Sequence, residues 1–334
     1  MSGVQQRQVN NDEDGMRLDR WFATHFPQLG LGRLQKLIRN GEVKVDKAKV
    51  TTSTRLVGGQ TVRIPPIDDA ETVAAAPRPR SAKLNEADSE FLRSIILYED
   101  DDIFVFDKPH GLAVQGGSGQ NRHIDGMLKS LPNAKGEPPR LVHRLDRDTS
   151  GCLVVAKTKQ AASHFGNVFR SRSARKIYWA VVAGNPHPQQ GEISCFLARQ
   201  STDDGEQMVV VRNGAPNSQH SLSYYSTTDT ASKRFAWVTL KPVTGRTHQL
   251  RVHMAQLGTP IIGDPRYFNI ENWQGAPGLS EGLHLHARRI AIPLRSGKRL
   301  DISAPLPPHM RASFETLGFD PDRYDVSGDP EDGA

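Results

Sequence analysis

The segment Leu141–Lys157, LVHRLDRDTSGCLVVAK, sets a short polar loop between two apolar elements. A loop held at both ends by hydrophobic packing presents reactive groups from a rigid frame. Asp146 is its candidate reactive group, with Arg144 and Arg147 close in sequence. Nearby cations favour the charged carboxylate, which suits a nucleophile or a base and not a proton donor. The same residues also suit a structural Asp–Arg pair over a turn built from Asp148, Thr149, Ser150 and Gly151.

A second segment, TGRTHQLRVH at 244–253, gathers Arg246, His248, Arg251 and His253. If it is helical after Gly245, Thr247 and Arg251 share one face. A fixed arginine there could pair bidentately with a carboxylate or a phosphate; a basic surface helix is the alternative. His284 and His286 raise the question of zinc. No thiolate clusters with them, and His248 and His253 miss the i, i+4 spacing of a helical metal pair, so no metal is expected. A third segment, RSRSARKIYWAVVA at 170–183, puts Arg170, Arg172, Arg175 and Lys176 before a β-like run carrying Tyr178 and Trp179. Strand alternation sends the two rings to opposite faces. One can pack in a core while the other stacks on a base or ligand; a core role is the alternative for either ring. The run Gly116-Gly117-Ser118-Gly119 lacks the ending of a phosphate loop, and no GxSxG supports a serine hydrolase.

The elements that must position these residues fall into two regions. Leu18, Trp21, Phe22 and Phe26, then Leu34, Leu37 and Ile38, recur at helical spacing, with Gly41 placed to end the second helix. Val43 and Val45, a turn at Asp46-Lys47, and Val62 and Ile64 after Gly58-Gly59 read as a small sheet. Residues 1–15 read as a disordered tail, 16–66 as a compact unit, 67–90 as a linker and 91–318 as a larger domain. Residues 319–334 read as an acidic disordered tail. In the larger domain, β-like runs at Ile103–Phe106, Leu153–Ala156, Ile177–Ala183, Trp237–Leu240 and Ile290–Ile292 alternate irregularly with helical patterns such as His164–Phe169. That favours an α+β fold over a doubly wound one.

At 334 residues, the chain has room for about two domains. No apolar run reaches the roughly 18–20 residues of a spanning helix, so an integral membrane protein is not expected. The N-terminus is polar, and Cys152 and Cys195 form no disulfide framework; the expectation is a reducing, cytoplasmic location. Nothing signals self-association, so a monomer is expected. Charge is uneven. Residues 16–64 carry ten Lys/Arg against three Asp/Glu, whereas residues 320–334 carry six acids and one arginine. A polyanion is the natural partner of the basic segment, unless that charge is only a solvated face.

Together, HRLDRDTSG with LVVAK, KIYWA, and TGRTHQLRVH with GTPIIGDPRY resemble the motifs of the RluA family of pseudouridine synthases. MRLDRWFATHFPQLGLGRLQKLIRNGEVKV resembles the α-L RNA-binding module first seen in a ribosomal small-subunit protein. RIPP and IILYEDDDIFVFDKPHGLAVQGGSG are similar to the RluC-type branch, which modifies large-subunit ribosomal RNA. This chain departs from the usual patterns at Gly30-Leu31-Gly32-Arg33, at Asp46-Lys47, and in Asp107-Lys108-Pro109, where Asn-Lys-Pro is usual.

The resemblance implies a mixed, largely antiparallel catalytic domain behind a small RNA-binding module. It implies uridine isomerisation with no redox change and no cofactor. Asp146 would be the essential carboxylate, Arg251 its basic partner, Tyr178 the ring stacked on uracil, and Arg144 the residue filling the gap left by the extruded nucleotide. Arg147, Arg246, His248 and Leu145 would complete the substrate surface, with Leu250 helping to exclude water. Arg170, Arg172, Arg175 and Lys176 would hold phosphates, as would Arg20, Arg33, Lys36, Arg39 and Lys44 of the N-terminal module. The implied partner is large-subunit (23S) ribosomal RNA or a large-subunit assembly intermediate. The alternatives are a non-catalytic RNA-binding or assembly factor, or the same reaction on transfer or small-subunit RNA.

Overall fold

In the computed structural model, which describes residues 4–10, 13–67, 82–116, 122–202, 205–268 and 279–324, the chain divides into two compact units, Met1–Arg80 and Ser81–Ala334. In the first, α1 (Leu18–His25) and α2 (Leu31–Arg39) bury Leu18, Trp21, Phe22 and Leu34 against the valines of a small sheet. Gly41, at φ +73, turns the chain after α2, and the Glu42 N–H closes back on the Leu37 carbonyl. The sheet contains β1 (Gln5–Gln8), β2 (Lys44–Val45), β3 (Ala48–Lys49) and β4 (Thr61–Ile64), in the order β1-β4-β2-β3. Asp46 and Lys47, both at positive φ, make the tight turn between β2 and β3.

The expected disordered tail over 1–15 is thus corrected. β1 pairs antiparallel with β4, and Glu13 accepts the Trp21 indole N–H at 2.8 Å. All four β1 side chains are exposed. Its backbone ladder therefore leaves no apolar alternation to read in the sequence.

The second unit runs α3 (Ala82–Ser94), β5 (Ile96–Glu99), β6 (Ile103–Lys108), α4 (Ile124–Met127), β7 (Arg140–Leu141), β8 (Ser150–Ala156), α5 (Lys159–Arg170) and β9 (Arg175–Ala183). It continues through β10 (Gln190–Thr202), β11 (Gly205–Val211), β12 (Gln219–Ala231), β13 (Phe235–Pro242), α6 (Gln249–Gln256), β14 (Leu285–Pro293), β15 (Arg299–Ser303), α7 (Pro308–Leu317) and α8 (Pro321–Tyr324). Eleven strands form one sheet with the main path β11-β10-β12-β13-β9-β14-β8-β6-β5; β15 pairs with β14 and β7 with β8. Every pairing is antiparallel except β14 with β8. This is the α+β, mixed-sheet architecture that the irregular alternation of strands and helices implied.

Two further boundaries move. The linker expected over 67–90 gives way to α3 from Ala82, whose apolar stripe is completed by Phe91 and Leu92, just beyond the segment's end. Residues 68–81 lie outside the described residues, as do 117–119 of the glycine-rich run. The acidic disordered tail expected from 319 does not hold over 319–324. Phe319 is buried, and Tyr324 packs edge-on to Trp237 at 5.4 Å; residues 325–334 lie outside the described residues. Two aromatic residues were masked there by the surrounding acids.

The sheet separates distinct cores. Trp179, Trp237 and Phe314 fill one face. Tyr178, the next residue on β9, turns to the other, as alternation requires. The central parallel contact depends on Gly151, which pairs with Ala287 at φ +103. A Cβ there would lie 2.3 Å from the Ala287 carbonyl oxygen. Gly151→Ala should therefore lower unfolding free energy by about 3 kcal/mol in urea titration. A midpoint equal to the parent's would mean that β8 does not approach β14 this closely.

Candidate active site

The loop between β7 and β8 is fixed from three sides. Leu145 is buried, and the Thr149 N–H closes a turn on the Asp146 carbonyl at 3.2 Å. His143 accepts the Val154 N–H through Nε2 at 2.8 Å and stacks on Phe169, with ring centroids 4.2 Å apart. Burial, with Lys176 nearby, pulls this imidazole down to about 3, so it is neutral and can accept. Lys108, at the end of β6, is fully buried. Its ammonium donates to the carbonyls of Pro109, Leu112 and Arg147, each at 2.8 Å. Burial pulls Lys108 down to about 7 against the attraction of Asp148 and Asp146. These two anchors were missed in the sequence. A lysine ending a strand looks solvated, and a histidine beside two charged residues looks catalytic.

Asp146 projects from this loop into a cleft of about 460 Å3, its side chain 29% exposed. Opposite it stands α6. Gln249 locks the approach to that helix: its carbonyl accepts Thr244 Oγ1 and the Arg246 N–H, and its amide donates to Leu222 and Ser223. Residues 249–254 are all buried, so the basic surface helix is excluded. The helix also starts later than expected. His248 caps it in the left-handed region at φ +52, and Thr247 lies before it, not on its face with Arg251.

Arg251 Nη1 is 3.9 Å from Asp146 Oδ2, as is His248 Nε2. The guanidinium's two shortest bonds go elsewhere. Nε and Nη2 fork onto the buried carboxylate of Asp264, each at 2.7 Å. The expected ion pair of Arg251 with Asp146 is present at 3.9 Å, while the guanidinium's hydrogen bonds go to Asp264, which offers a desolvated, in-plane partner. Burial opposes the Arg251 charge, but the hydrogen bonds and charge of Asp264 outweigh it and hold the group above its ordinary value. Nothing in the local sequence signals a pairing across thirteen residues with an aspartate inside a Gly-Asp-Pro turn.

Tyr178 lines the same cleft. Burial, reinforced by the Asp146 charge, holds its phenol protonated well above the ordinary range. Leu145, Leu250, Arg144, Arg246, His248, Arg170, Arg172 and Lys176 also line the cleft. The two arginines expected to flank the Asp146 carboxylate do not. Arg147 turns outward and forks onto Asp148 at 2.9 and 3.1 Å, and Arg144 donates to Thr247 Oγ1 at 3.2 Å. Successive residues of a tight turn point in different directions, and Asp148 is the nearer acid. Arg175 is not among the lining residues either; its charge bears on Asp301.

Among the other expected residues, Arg20, Lys36 and Arg39 are exposed and Arg33 and Lys44 half-buried on α1, α2 and β2 of the first unit. His284 and His286 are buried, bonded to Ser313 and Ser150. Among the described residues, no group of three or more His, Cys, Asp or Glu could hold a metal ion. No helix among them is long and apolar enough to cross a membrane.

The RNA pseudouridylate synthase family matches residues 102–256. The ribosomal large subunit pseudouridine synthase C of Vibrio cholerae is 35% identical over 321 residues, 94% of this chain and 97% of that protein. The mitochondrial RNA pseudouridine synthase 4 of Arabidopsis thaliana is 33% identical over 378 residues, 89% of this chain and 78% of that one. A solved structure, human RNA pseudouridylate synthase domain containing 4, shares 31% identity at a TM-score of 0.60 over 71% of this chain and 97% of its own. The chain belongs to the RluA family of pseudouridine synthases and is an isomerase.

Lys176 carries a measurable consequence. Burial, with Arg172 nearby, pulls its ammonium down to about 8. An anion bound beside it would favour the proton and raise that value. Affinity for an oligonucleotide should thus be greatest below pH 8 and fall as pH rises to 10, by up to about tenfold per unit for one proton. Lys176→Arg should flatten this slope in fluorescence-anisotropy titrations. An equal slope in both proteins would show that Lys176 does not meet the anion.

Proposed function

We propose that this enzyme converts specific uridines of large-subunit (23S) ribosomal RNA to pseudouridine, with Asp146 as the reacting carboxylate. The observation that carries the reading is that Asp146, alone among the described residues, brings a carboxylate into the cleft, opposite Tyr178 and 3.9 Å from the Arg251 guanidinium. In the reaction, the bond from N1 of uracil to the ribose breaks, the ring turns, and C5 bonds to the same sugar carbon. The proton on C5 is lost and one is gained at N1, so the step is an isomerisation.

A base stacked in a helix cannot reach Asp146, and its nucleotide must swing out at a cost of roughly a few kcal/mol. Phosphate contacts offset that cost. Arg170, Arg172 and Lys176 beside the cleft supply them, as do the cations of the basic N-terminal unit, which resembles the α-L module. Arg144 reaches toward the gap that the nucleotide leaves. Tyr178 stacks on the uracil and, protonated, can exchange hydrogen bonds with it. Leu145 and Leu250 flank the site as an apolar wall that limits escape of the detached ring.

Relatives in Vibrio cholerae and Escherichia coli, named for the ribosomal large subunit, support that RNA as substrate, either free or in an assembly intermediate. We further propose that the protein acts as a monomer in a reducing compartment, the cytoplasm, where the free thiols Cys152 and Cys195 are stable.

The test is pseudouridine mapping in cells lacking the gene. Specific large-subunit sites should be lost, then restored by the parent protein and not by Asp146→Asn, which should still bind RNA within about threefold. Restoration by Asp146→Asn would remove that residue from the chemistry. Loss confined to transfer or small-subunit RNA would change the substrate.

A further inference from the structure

Asp264 and Tyr267 sit in the turn that follows α6, and neither lines the cleft. Yet each engages one of the two side chains that approach Asp146. Asp264 takes the Arg251 fork and also accepts the N–H groups of Arg266 and Tyr267, at 2.9 and 3.1 Å. The Tyr267 ring lies 5.2 Å from the Arg251 guanidinium carbon. Its hydroxyl accepts the Met208 N–H at 3.0 Å and shares a hydrogen bond with His248 Nδ1 at 2.9 Å. The phenol oxygen already accepts from Met208, so donation of its own proton to Nδ1 would leave the His248 proton on Nε2, the atom facing Asp146. Burial keeps that imidazole below its ordinary value against the pull of Asp146, which favours the neutral ring.

We propose that the Asp264–Tyr267 turn is a positioning clamp that sets the reactivity of Asp146. Asp264 occupies two of the guanidinium's donor atoms, leaving Nη1 to point at Asp146, and Tyr267 fixes the His248 tautomer. The clamp rests on the reading that Asp146 is the reacting group. Its logic is restraint. A free guanidinium beside a carboxylate forms a bidentate pair, and a carboxylate held in such a pair is a weaker nucleophile and a weaker base. Asp264 takes the fork first, so Arg251 orients Asp146 without capturing it.

Other charges also face Asp146. Lys108 approaches from β6 beneath the loop, and Tyr178 from β9. Arg147 and Asp148, on the loop itself, are paired with each other. None of these touches Asp264, so substitution there changes the Arg251 contribution while leaving theirs in place.

The experiment compares Asp264→Asn, Tyr267→Phe and Asp146→Asn with the parent in single-turnover isomerisation of a substrate RNA across pH, alongside RNA affinity and thermal melting. For Asp264→Asn the rate should fall roughly 100-fold, with affinity within about threefold. The acid limb of its rate–pH profile should move to lower pH, because the released guanidinium turns onto Asp146 and favours its charged form. Tyr267→Phe should lose roughly tenfold in rate, the worth of one hydrogen bond, with little change in melting.

A purely structural role predicts losses that follow the folded fraction and leave the acid limb unmoved; that result overturns the clamp. If Asp264→Asn does not fold, Tyr267→Phe decides, and a parental rate there overturns the proposal. Parental behaviour of both variants beside an inactive Asp146→Asn removes only the clamp, whereas an active Asp146→Asn removes the reading beneath it.

Discussion

The buried ion pair between Arg251 and Asp264 is the constraint on which the cleft depends. Both side chains are almost wholly removed from water, and two 2.7 Å bonds join them. Separating such a pair strands a charge in a low-dielectric interior, at roughly 3–5 kcal/mol. The pair therefore fixes α6 against the turn that follows it, and with α6 it fixes the wall opposite Asp146. The loop on the other side is fixed as firmly, by the buried ammonium of Lys108 and the neutral ring of His143. Two rigid walls from distant parts of the chain thus hold one carboxylate at the mouth of a cleft. Preorganisation of this kind lets an active site work without rearranging during the reaction.

Desolvation acts differently on each group in the cleft. It disfavours charge on His248, against the pull of Asp146, and on Tyr178, and so favours the neutral form of both. Arg251 remains charged because Asp264 matches it. The rim is governed by electrostatics at longer range, with Arg170 and Arg172 exposed and Lys176 half-buried. Division into a largely buried floor and a cationic edge suits a substrate whose reacting part is an uncharged base and whose backbone is a chain of phosphates.

The sequence revealed the site more fully than the contacts that hold it. Asp146, Tyr178 and Arg251 were singled out by the family motifs that loop, strand and helix carry, and the opposite orientation of Tyr178 and Trp179 follows from strand geometry alone. Partner choice was legible only in part. Arg147 pairs with Asp148 where proximity along the chain suggested Asp146, and Arg251 adds to the implied Asp146 a second, closer partner in Asp264. The strand at Gln5–Gln8 and the start of α3 were missed for a related reason. One is held by backbone bonds with no buried side chain, and the other completes its apolar stripe past an apparent boundary.

The most direct measurement is a crystal structure of Asp146→Asn bound to an RNA carrying its target uridine. The account predicts the uracil stacked on Tyr178, a reacting atom of that nucleotide's sugar or ring about 3–3.5 Å from the side chain at 146, and Arg251 still forked onto Asp264. A uridine left stacked within the RNA, or seated away from residue 146, would contradict it.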